Sequence, residues 1–125
     1  VAILSGNVTT ENNGGFIQIR RNVSEGSKSA EGILLKVRGN GENYFIHLNT
    51  SETIFLPQQY RFYYQADFST SKEWNIVKLP FSTAFKRSNS QISKYFNGEN
   101  VRTIGLLAYG KDHNALLEVK YLSFY

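Results

Sequence analysis

The 125-residue chain contains no cysteine and no methionine, and it has only 2 prolines. The lack of cysteine excludes disulfide bonds, thiolate nucleophiles and cysteine metal sites, so the fold must depend on packing alone. No segment approaches the run of about 18 apolar residues that a membrane-spanning helix requires. We therefore expect a packed protein that does not span a membrane.

Side chains for acid–base or metal chemistry are also scarce. The histidines are His47 and His113, and the aspartates are Asp67 and Asp112. Alternation places His47 in the middle of a strand on the side away from the core, whereas His113 lies in a turn, so nothing brings both to one metal ion. These few histidines and aspartates show no pattern typical of a catalytic triad or a paired-carboxylate mechanism. We expect no enzyme activity.

The charge is mildly basic, with 14 Lys and Arg against 10 Asp and Glu, a formal net charge of +4. The basic residues occur singly or in pairs, and a nucleic-acid groove would need them to converge beside stacking aromatics. This scatter favours an ordinary solvated surface and predicts no nucleic-acid partner.

What the chain does have is period-two alternation of apolar and polar residues from end to end, the pattern of half-buried β-strands. No stretch of ten residues shows the pattern of an amphipathic helix. The clearest strand patterns are "GFIQIRR", "GILLKVRG", "NYFIHLNT", "YRFYYQADFST", "EWNIVKLPF", "VRTIGLLAYG" and "ALLEVKYLSFY". About seven strands joined by polar turns predict an all-β fold, an antiparallel two-sheet jelly-roll sandwich, with a barrel as the alternative.

Turn and breaker residues predict how these strands connect. The segment Gly39–Gly41 is typical of a tight hairpin between "GILLKVRG" and "NYFIHLNT", and "KDHN" would join the last two strands as a second pair. Pro80, which lacks an amide hydrogen, indicates the end of a strand or an edge strand. Residues 82–100 are irregular and predict a long crossover loop, and the phase shift between Val119 and Leu122 predicts a bulge.

The loop "TTENNGG" supports two interpretations. Glu11, Asn12 and Asn13 offer oxygen ligands for a structural calcium ion, but a single carboxylate is few for such a site. The simpler interpretation is a turn into the strand that begins at Phe16, with asparagine and glycine adopting turn conformations. We therefore expect no cofactor, with a structural calcium ion as the open alternative.

The best candidate binding site is a polar sheet face that carries planar side chains and one aromatic ring. Such groups could hydrogen-bond to a partner while the ring stacks on it. If the strands concerned share a sheet, the face comprises Gln18, Arg20, Arg38, Arg61, Tyr63 and Gln65. An ordinary polar sheet face is the alternative. Trp74 is expected to lie in the core with Phe81 and Phe85.

Several short words occur in a characteristic order: "NNGGF" with Arg20, "LKVRGNGENY", "YRFYYQADF", "EWNIVKLPFSTAF" and "IGLLAYGKDHNALLEV". From about Gly6 to the C-terminus the chain thereby resembles the complex I intermediate-associated protein 30 family. The resemblance implies a β-sandwich like that of galactose-binding domains, a fold shared with many carbohydrate-binding modules.

Mitochondrial members of that family act as assembly factors for respiratory complex I, and related domains occur in plastid and bacterial proteins. The resemblance therefore implies a non-enzymatic domain that binds a protein subunit of a membrane complex, in a mitochondrion or plastid, or in the cytoplasm of a bacterium. A glycan-binding module of the same fold is the alternative function.

The sequence departs from the family pattern at two places. The Trp- and Asp-containing opening and the Met-Gly-Gly word that usually precede "NGGF" are absent, so we expect one domain over residues 1–125 without the family's N-terminal segment. Asn40 also stands where the family usually has an aspartate between two glycines.

Overall fold

The computed structural model describes residues 2–9, 16–23, 29–88 and 98–125. The predicted calcium ligands and the turn after them, residues 11–15, lie outside these ranges, as do residues 89–97 of the irregular segment 82–100. Within the described ranges the chain forms nine strands and one short helix. They are β1 (Ala2–Val8), β2 (Phe16–Asn22), β3 (Gly32–Gly39), β4 (Asn43–Thr50), α1 (Ser51–Ile54), β5 (Tyr64–Ser69), β6 (Asn75–Pro80), β7 (Lys86–Arg87), β8 (Val101–Tyr109) and β9 (His113–Phe124). Two 3-10 turns cover Gln58–Tyr60 and Gly98–Asn100.

The strands form two antiparallel sheets that pack face to face, which confirms the predicted sandwich. The four-stranded sheet has the order β1-β9-β3-β6, and the five-stranded sheet has the order β2-β8-β4-β5-β7. Because every strand pair is antiparallel and both sheets are open, the barrel alternative is excluded. No helix in the described ranges has the length and apolar character needed to cross a membrane.

The core lies between the sheets and follows the predicted alternation. On β4, Tyr44, Ile46 and Leu48 are fully buried, and on β3 Ile33 and Leu35 are equally buried on the facing sheet. Burial of each such aliphatic side chain contributes about 1.5–3 kcal/mol. The alternate residues of both strands point away from the core, so each sheet presents one face to the outside.

The predicted pairing of neighbouring strands is wrong at two turns. The strands β3 and β4 do not form a hairpin, because β3 pairs with β6 and β9 while β4 pairs with β5 and β8. The strands β8 and β9 likewise belong to different sheets. Both turns contain a glycine with positive φ, Gly41 (89°) and Gly110 (97°), as a tight turn requires. Alternation shows which side of a strand is apolar but not which strand lies beside it, and both turns in fact connect the two sheets.

A buried tyrosine links the two turns that connect the sheets. The hydroxyl of Tyr44 donates to Oδ1 of Asn40 at 2.7 Å and accepts from the backbone N–H of Leu116 at 2.8 Å. The amide of Asn40 in turn donates to the carbonyl of Asn114 at 2.7 Å. Asn40 lies in the turn between β3 and β4, and Asn114 lies just after the turn between β8 and β9. The hydrogen-bond network therefore ties the two sheets together at this end of the sandwich.

Three further predictions about local structure can be compared with the fold. Pro80 is the last residue of β6, an edge strand, as predicted. The expected bulge is present, since the β3–β9 register shifts between Lys36 and Val37, opposite Val119 and Tyr121. The long strand predicted from Tyr60 is wrong in its first part, because β5 begins only at Tyr64.

The prediction that Trp74 lies in the core is also wrong. Phe81 and Phe85 are buried, but Trp74 is only half-buried and lies outside the core. Its ring lies instead beneath two cations, with the Arg38 guanidinium carbon 4.6 Å and the Lys120 amine 5.9 Å from the ring centroid. The apolar segment "EWNIVKLPF" around Trp74 does not distinguish a core residue from one that stacks under cations at a sheet surface.

Candidate functional site

The outer face of the five-stranded sheet carries four of the six predicted site residues. Gln18 and Arg20 lie on β2, Gln65 lies on β5 and Tyr63 immediately precedes β5. Two strands, β8 and β4, separate these pairs. At about 4.8 Å per strand, β2 and β5 are therefore about 14 Å apart across the sheet.

The other two predicted residues lie elsewhere, so that part of the predicted face is wrong. Arg38 is on β3 in the opposite sheet, where its guanidinium forms an ion pair with Glu118. Arg61 lies in the connection before β5, and its Nε donates to the carbonyl of Leu56 at 3.0 Å. Both errors come from strand placement, because the prediction assumed that β3 shares a sheet with β5 and that β5 begins before Arg61.

Between β2 and β5, the structure places aromatic residues that the sequence analysis did not include in the site. Gln65 is hydrogen-bonded to two of them: its Oε1 lies 2.7 Å from Nε2 of His47 and 2.5 Å from the hydroxyl of Tyr109. The rings also pack in pairs. The His47 and Tyr63 rings stack with centroids 4.1 Å apart and an interplanar angle of 16°, and the Phe45 and Tyr109 centroids are 4.4 Å apart. We call these five half-buried residues the Gln65 cluster.

The hydrogen bonds set the polarity that the Gln65 cluster presents. Because Oε1 of Gln65 accepts both bonds, Nε2 of His47 carries a proton and Nδ1 has a lone pair. Burial lowers the pKa of His47 from its ordinary value of 6.5, against the raising effect of the Gln65 bond, and the positive charge of Arg20 lowers it further. His47 is therefore neutral at physiological pH. Within the described part of the chain, the amide N–H₂ of Gln65 and Nδ1 of His47 have no hydrogen-bond partner.

The phenol of Tyr109 also stays in its neutral form. Burial raises its pKa, and the neighbouring Tyr63 raises it further. At neutral pH the Gln65 cluster therefore carries no charge of its own. The charged residues near it include Arg20 and Lys86 at the ends of its row across the sheet and Asp67 on β5, which pairs with Phe45.

A single row of residues crosses the whole sheet through this cluster. The pairing registers align Arg20 with Gly105, Gly105 with His47, His47 with Gln65, and Gln65 with Lys86. Cations therefore lie at both ends of the row, and neutral polar groups lie at its centre. Gly105, on the interior strand β8, is itself buried and has no side chain, which leaves a low point between the side chains of Arg20 and His47.

Gly105 is not required by the backbone. Its φ is not in the left-handed region, and an added Cβ would meet only Cδ1 of Leu107 at 3.5 Å and the carbonyl oxygen of Ile19 at 3.8 Å, both ordinary contacts. A glycine inside a central strand weakens the sheet and often marks a place where a ligand or another backbone approaches closely. The low point above Gly105 is thus a feature of the outer face that packing does not explain.

Beside the cluster lies a shallow groove of about 430 Å³ at the end where both turns cross between the sheets. Phe45 and Tyr109 form one wall, and the ion pair between Lys111 and Glu42, 2.6 Å from N to O, borders it. This pair lowers the pKa of Glu42. His113 also lines the groove, and its buried Nε2 atom has no partner within the described ranges. These ranges contain no group of three His, Cys, Asp or Glu side chains that could hold a metal ion.

The order of the short sequence motifs and the two-sheet fold both agree with one family. The family model described as Complex I intermediate-associated protein 30 matches residues 1–119. The chain belongs to the complex I intermediate-associated protein 30 family. Among curated protein sequences, none matches the chain.

Solved structures similar to this family member share its fold. One is the family 11 carbohydrate-binding module from Clostridium thermocellum in complex with a β-1,3-1,4-mixed-linked tetrasaccharide, with a TM-score of 0.64 and 13% identity over 98% of this chain and 82% of that one. Another is the family 11 module of the cellulosomal cellulase Lic26A-Cel5E of Clostridium thermocellum, with a TM-score of 0.66 and 13% identity over 98% and 81% of the two chains. The structure of PfGH50B gives a TM-score of 0.63 and 11% identity over 99% of this chain and 22% of that one. At such low identity these likenesses establish the jelly-roll sandwich fold alone.

Proposed function

We propose that this domain is a non-enzymatic assembly factor that holds a protein subunit of a respiratory or other membrane complex through the outer face of the five-stranded sheet. Membership of the complex I intermediate-associated protein 30 family supports the assembly role. The scarcity of catalytic side chains supports a binding role without chemistry.

The observation that carries the choice of a protein partner is the mutual packing of the aromatic rings. His47 stacks on Tyr63 and Phe45 packs on Tyr109, so each ring uses one face within the Gln65 cluster. Half-buried, rigid aromatic side chains beside an arginine are typical of protein–protein hot spots. A sugar-stacking platform, by contrast, needs open ring faces that lie parallel to the sheet surface.

Arg20 supplies an accessible positive charge on this face. Its side chain is exposed, and neither ion pair found in the described part of the chain involves it. The registers place Arg20 and His47 on either side of Gly105. A carboxylate of a partner could therefore bind the guanidinium of Arg20 with bidentate geometry, while a separate acceptor of the partner, farther across the face, binds the amide of Gln65.

Glycan binding is the second candidate, and two observations favour it. The fold is that of a module whose structure contains a bound β-glucan tetrasaccharide. The free amide of Gln65, Nδ1 of His47 and the guanidinium of Arg20 are also planar polar groups of the kind that bind sugar hydroxyls.

The test is affinity capture of the full-length protein from its own cells, with identification of the recovered proteins by mass spectrometry. Wild type is compared with Arg20→Ala and Tyr63→Ala, and Lys72→Ala, in the exposed connection before β6, is the matched control. We expect a defined membrane-complex subunit with wild type and control, and its loss with both site variants. Circular dichroism and thermal unfolding establish that each variant is folded.

A titration of the purified protein with the mixed-linked β-glucan tetrasaccharide separates the two candidates. Saturable binding that Tyr63→Ala abolishes, together with no captured subunit, would replace the assembly proposal by the glycan proposal. Recovery of the same subunit by folded Arg20→Ala and Tyr63→Ala variants would show that this face is not the binding surface.

A further inference from the structure

The outer face of the four-stranded sheet presents apolar side chains that no described element covers. Of the large hydrophobic residues that are strongly exposed, four lie here: Ile3 (55% exposed), Ile76 (58%), Leu116 (43%) and Tyr121 (41%). The registers place them on rows that cross the sheet, with Ile3 beside Glu118 and with Ile76 and Tyr121 on either side of Lys36. The face therefore mixes exposed apolar side chains with charged ones, a composition that fits an interaction site.

The same sheet also carries an excess of positive charge. Its four strands carry Lys36, Arg38, Lys78 and Lys120 but only one carboxylate, Glu118, and that carboxylate is already paired with Arg38. Three of the cations also lie over aromatic rings: Arg38 and Lys120 over Trp74, and Lys78 with its amine 5.3 Å from the Tyr125 centroid. The surface therefore combines apolar side chains with an excess of fixed positive charge.

We propose that this face is a second interaction surface, which binds an acidic, partly apolar segment of a protein partner. Charge complementarity selects the occupant, because carboxylates would meet Lys36, Lys78 and Lys120 while apolar side chains cover Ile76 and Tyr121. A second copy of this chain does not fit, since two such faces would place like charges opposite each other.

The arrangement of the side chains favours a protein over an anionic bilayer. The apolar residues lie in one layer on a rigid sheet, and Lys36 lies directly between Ile76 and Tyr121. None of them projects from a loop, so they could not enter hydrocarbon without taking the cations with them. A protein surface can present carboxylates and apolar groups in the same alternating pattern.

The size of the face predicts a transient complex. Four strands at about 4.8 Å and about seven residues at 3.3 Å give a face of roughly 19 by 23 Å. The resulting area, roughly 440 Å², is smaller than the roughly 800 Å² per partner of a standard interface. We therefore expect a weak, salt-sensitive association whose strength depends on the lysines.

The test places a photo-reactive benzoylphenylalanine at position 76 of the full-length protein in its own cells. Position 60 is the matched control, because Tyr60 is 61% exposed but lies in a 3-10 turn away from this sheet. We expect a cross-link at 76 but not at 60, to a protein segment that contains both carboxylates and apolar residues. Lys78→Glu should lower the yield about fivefold or more, whereas Lys72→Glu should leave it unchanged.

Four outcomes would overturn this proposal. The first is a yield of cross-linked product at position 76 no higher than that at position 60. The second is cross-linking to lipid or to a second copy of the chain, and the third is cross-linking to a basic segment. The fourth is a yield that Lys78→Glu does not change. Because Arg20 and Gln65 lie on the opposite sheet, the capture experiment can fail while this one succeeds, and the reverse is also possible.

Discussion

Replacing Gly105 by alanine should stabilise the fold, although it alters the centre of the candidate site. The residue lies in β8, an interior strand of the five-stranded sheet, where glycine costs about 0.5–1 kcal/mol relative to alanine. The new Cβ would find contacts at 3.5 and 3.8 Å and no clash. For a chain of this length that gain corresponds to a rise in melting temperature of about 2–4 °C.

Gly32 provides a control with the opposite sign. A Cβ added there would lie 2.4 Å from the carbonyl oxygen of Leu79 and 2.9 Å from Cα of Pro80, and both are backbone atoms that cannot move alone. Gly32→Ala should therefore destabilise the protein by about 1–3 kcal/mol, the range found for overpacked sites. Urea unfolding of both variants, with melting temperatures from circular dichroism, measures the difference.

The two alanine variants test whether Gly105 is present for packing or for binding. If Gly105→Ala raises stability and weakens capture of the partner, the glycine is retained at a cost in stability because a partner approaches the sheet there. A loss of 1 kcal/mol or more would refute the reasoning, since it would mean that the strand itself needs a glycine. So would a change of the same sign in Gly105→Ala and Gly32→Ala.

Two further predictions concern pH and the buried tyrosine. Because burial lowers the folded-state pKa of His47 below 6.5, the unfolded chain takes up the proton first, and stability present above pH 6.5 is lost as the pH falls toward the folded-state pKa. Urea unfolding between pH 7 and 5 should therefore show a shallower decline for His47→Gln than for wild type, and an equal decline would contradict the assignment. Tyr44→Phe leaves the N–H of Leu116 without its partner and should lower stability by about 1–3 kcal/mol, whereas Tyr109→Phe, at a half-exposed site, should lower it by less. Thermal unfolding of the two phenylalanine variants measures this order, and a larger loss for Tyr109→Phe would contradict it.

Alternation predicted the strands and their buried sides because burial of one face repeats every second residue. Tyr44, Ile46 and Leu48 on β4, like Ile33 and Leu35 on β3, are buried as the pattern predicts. The pairing of β3 with β4 could not be predicted in this way. A tight glycine turn serves equally well to reverse a chain within one sheet and to carry it to the other, and the partners of β3 are distant in sequence.

The same limit explains the candidate site. The phase of each strand placed Gln18, Arg20 and Gln65 on outer faces, and all three lie on the five-stranded sheet. Arg38 has the same phase on its own strand but lies on the other sheet. His47 was also placed away from the core by alternation, yet its role in the Gln65 cluster depends on β4 lying beside β5, which only the tertiary pairing shows. The same alternation places Phe45 on the outer side of β4. It also places Tyr109 on the outer side of β8.

The distribution of charge shows most clearly what a linear pattern conceals. Basic residues that stand singly or in pairs along the chain predict an evenly solvated surface. Lys36, Lys78 and Lys120 are more than 40 residues apart, yet β3 lies between β6 and β9, so their side chains occupy one face. On the outer face of the opposite sheet, the row through His47 has the cations Arg20 and Lys86 at its two ends and a neutral centre. Because the two faces differ in chemistry and lie on opposite sides of the core, they can bind different partners, and substitutions on one should leave binding at the other unchanged.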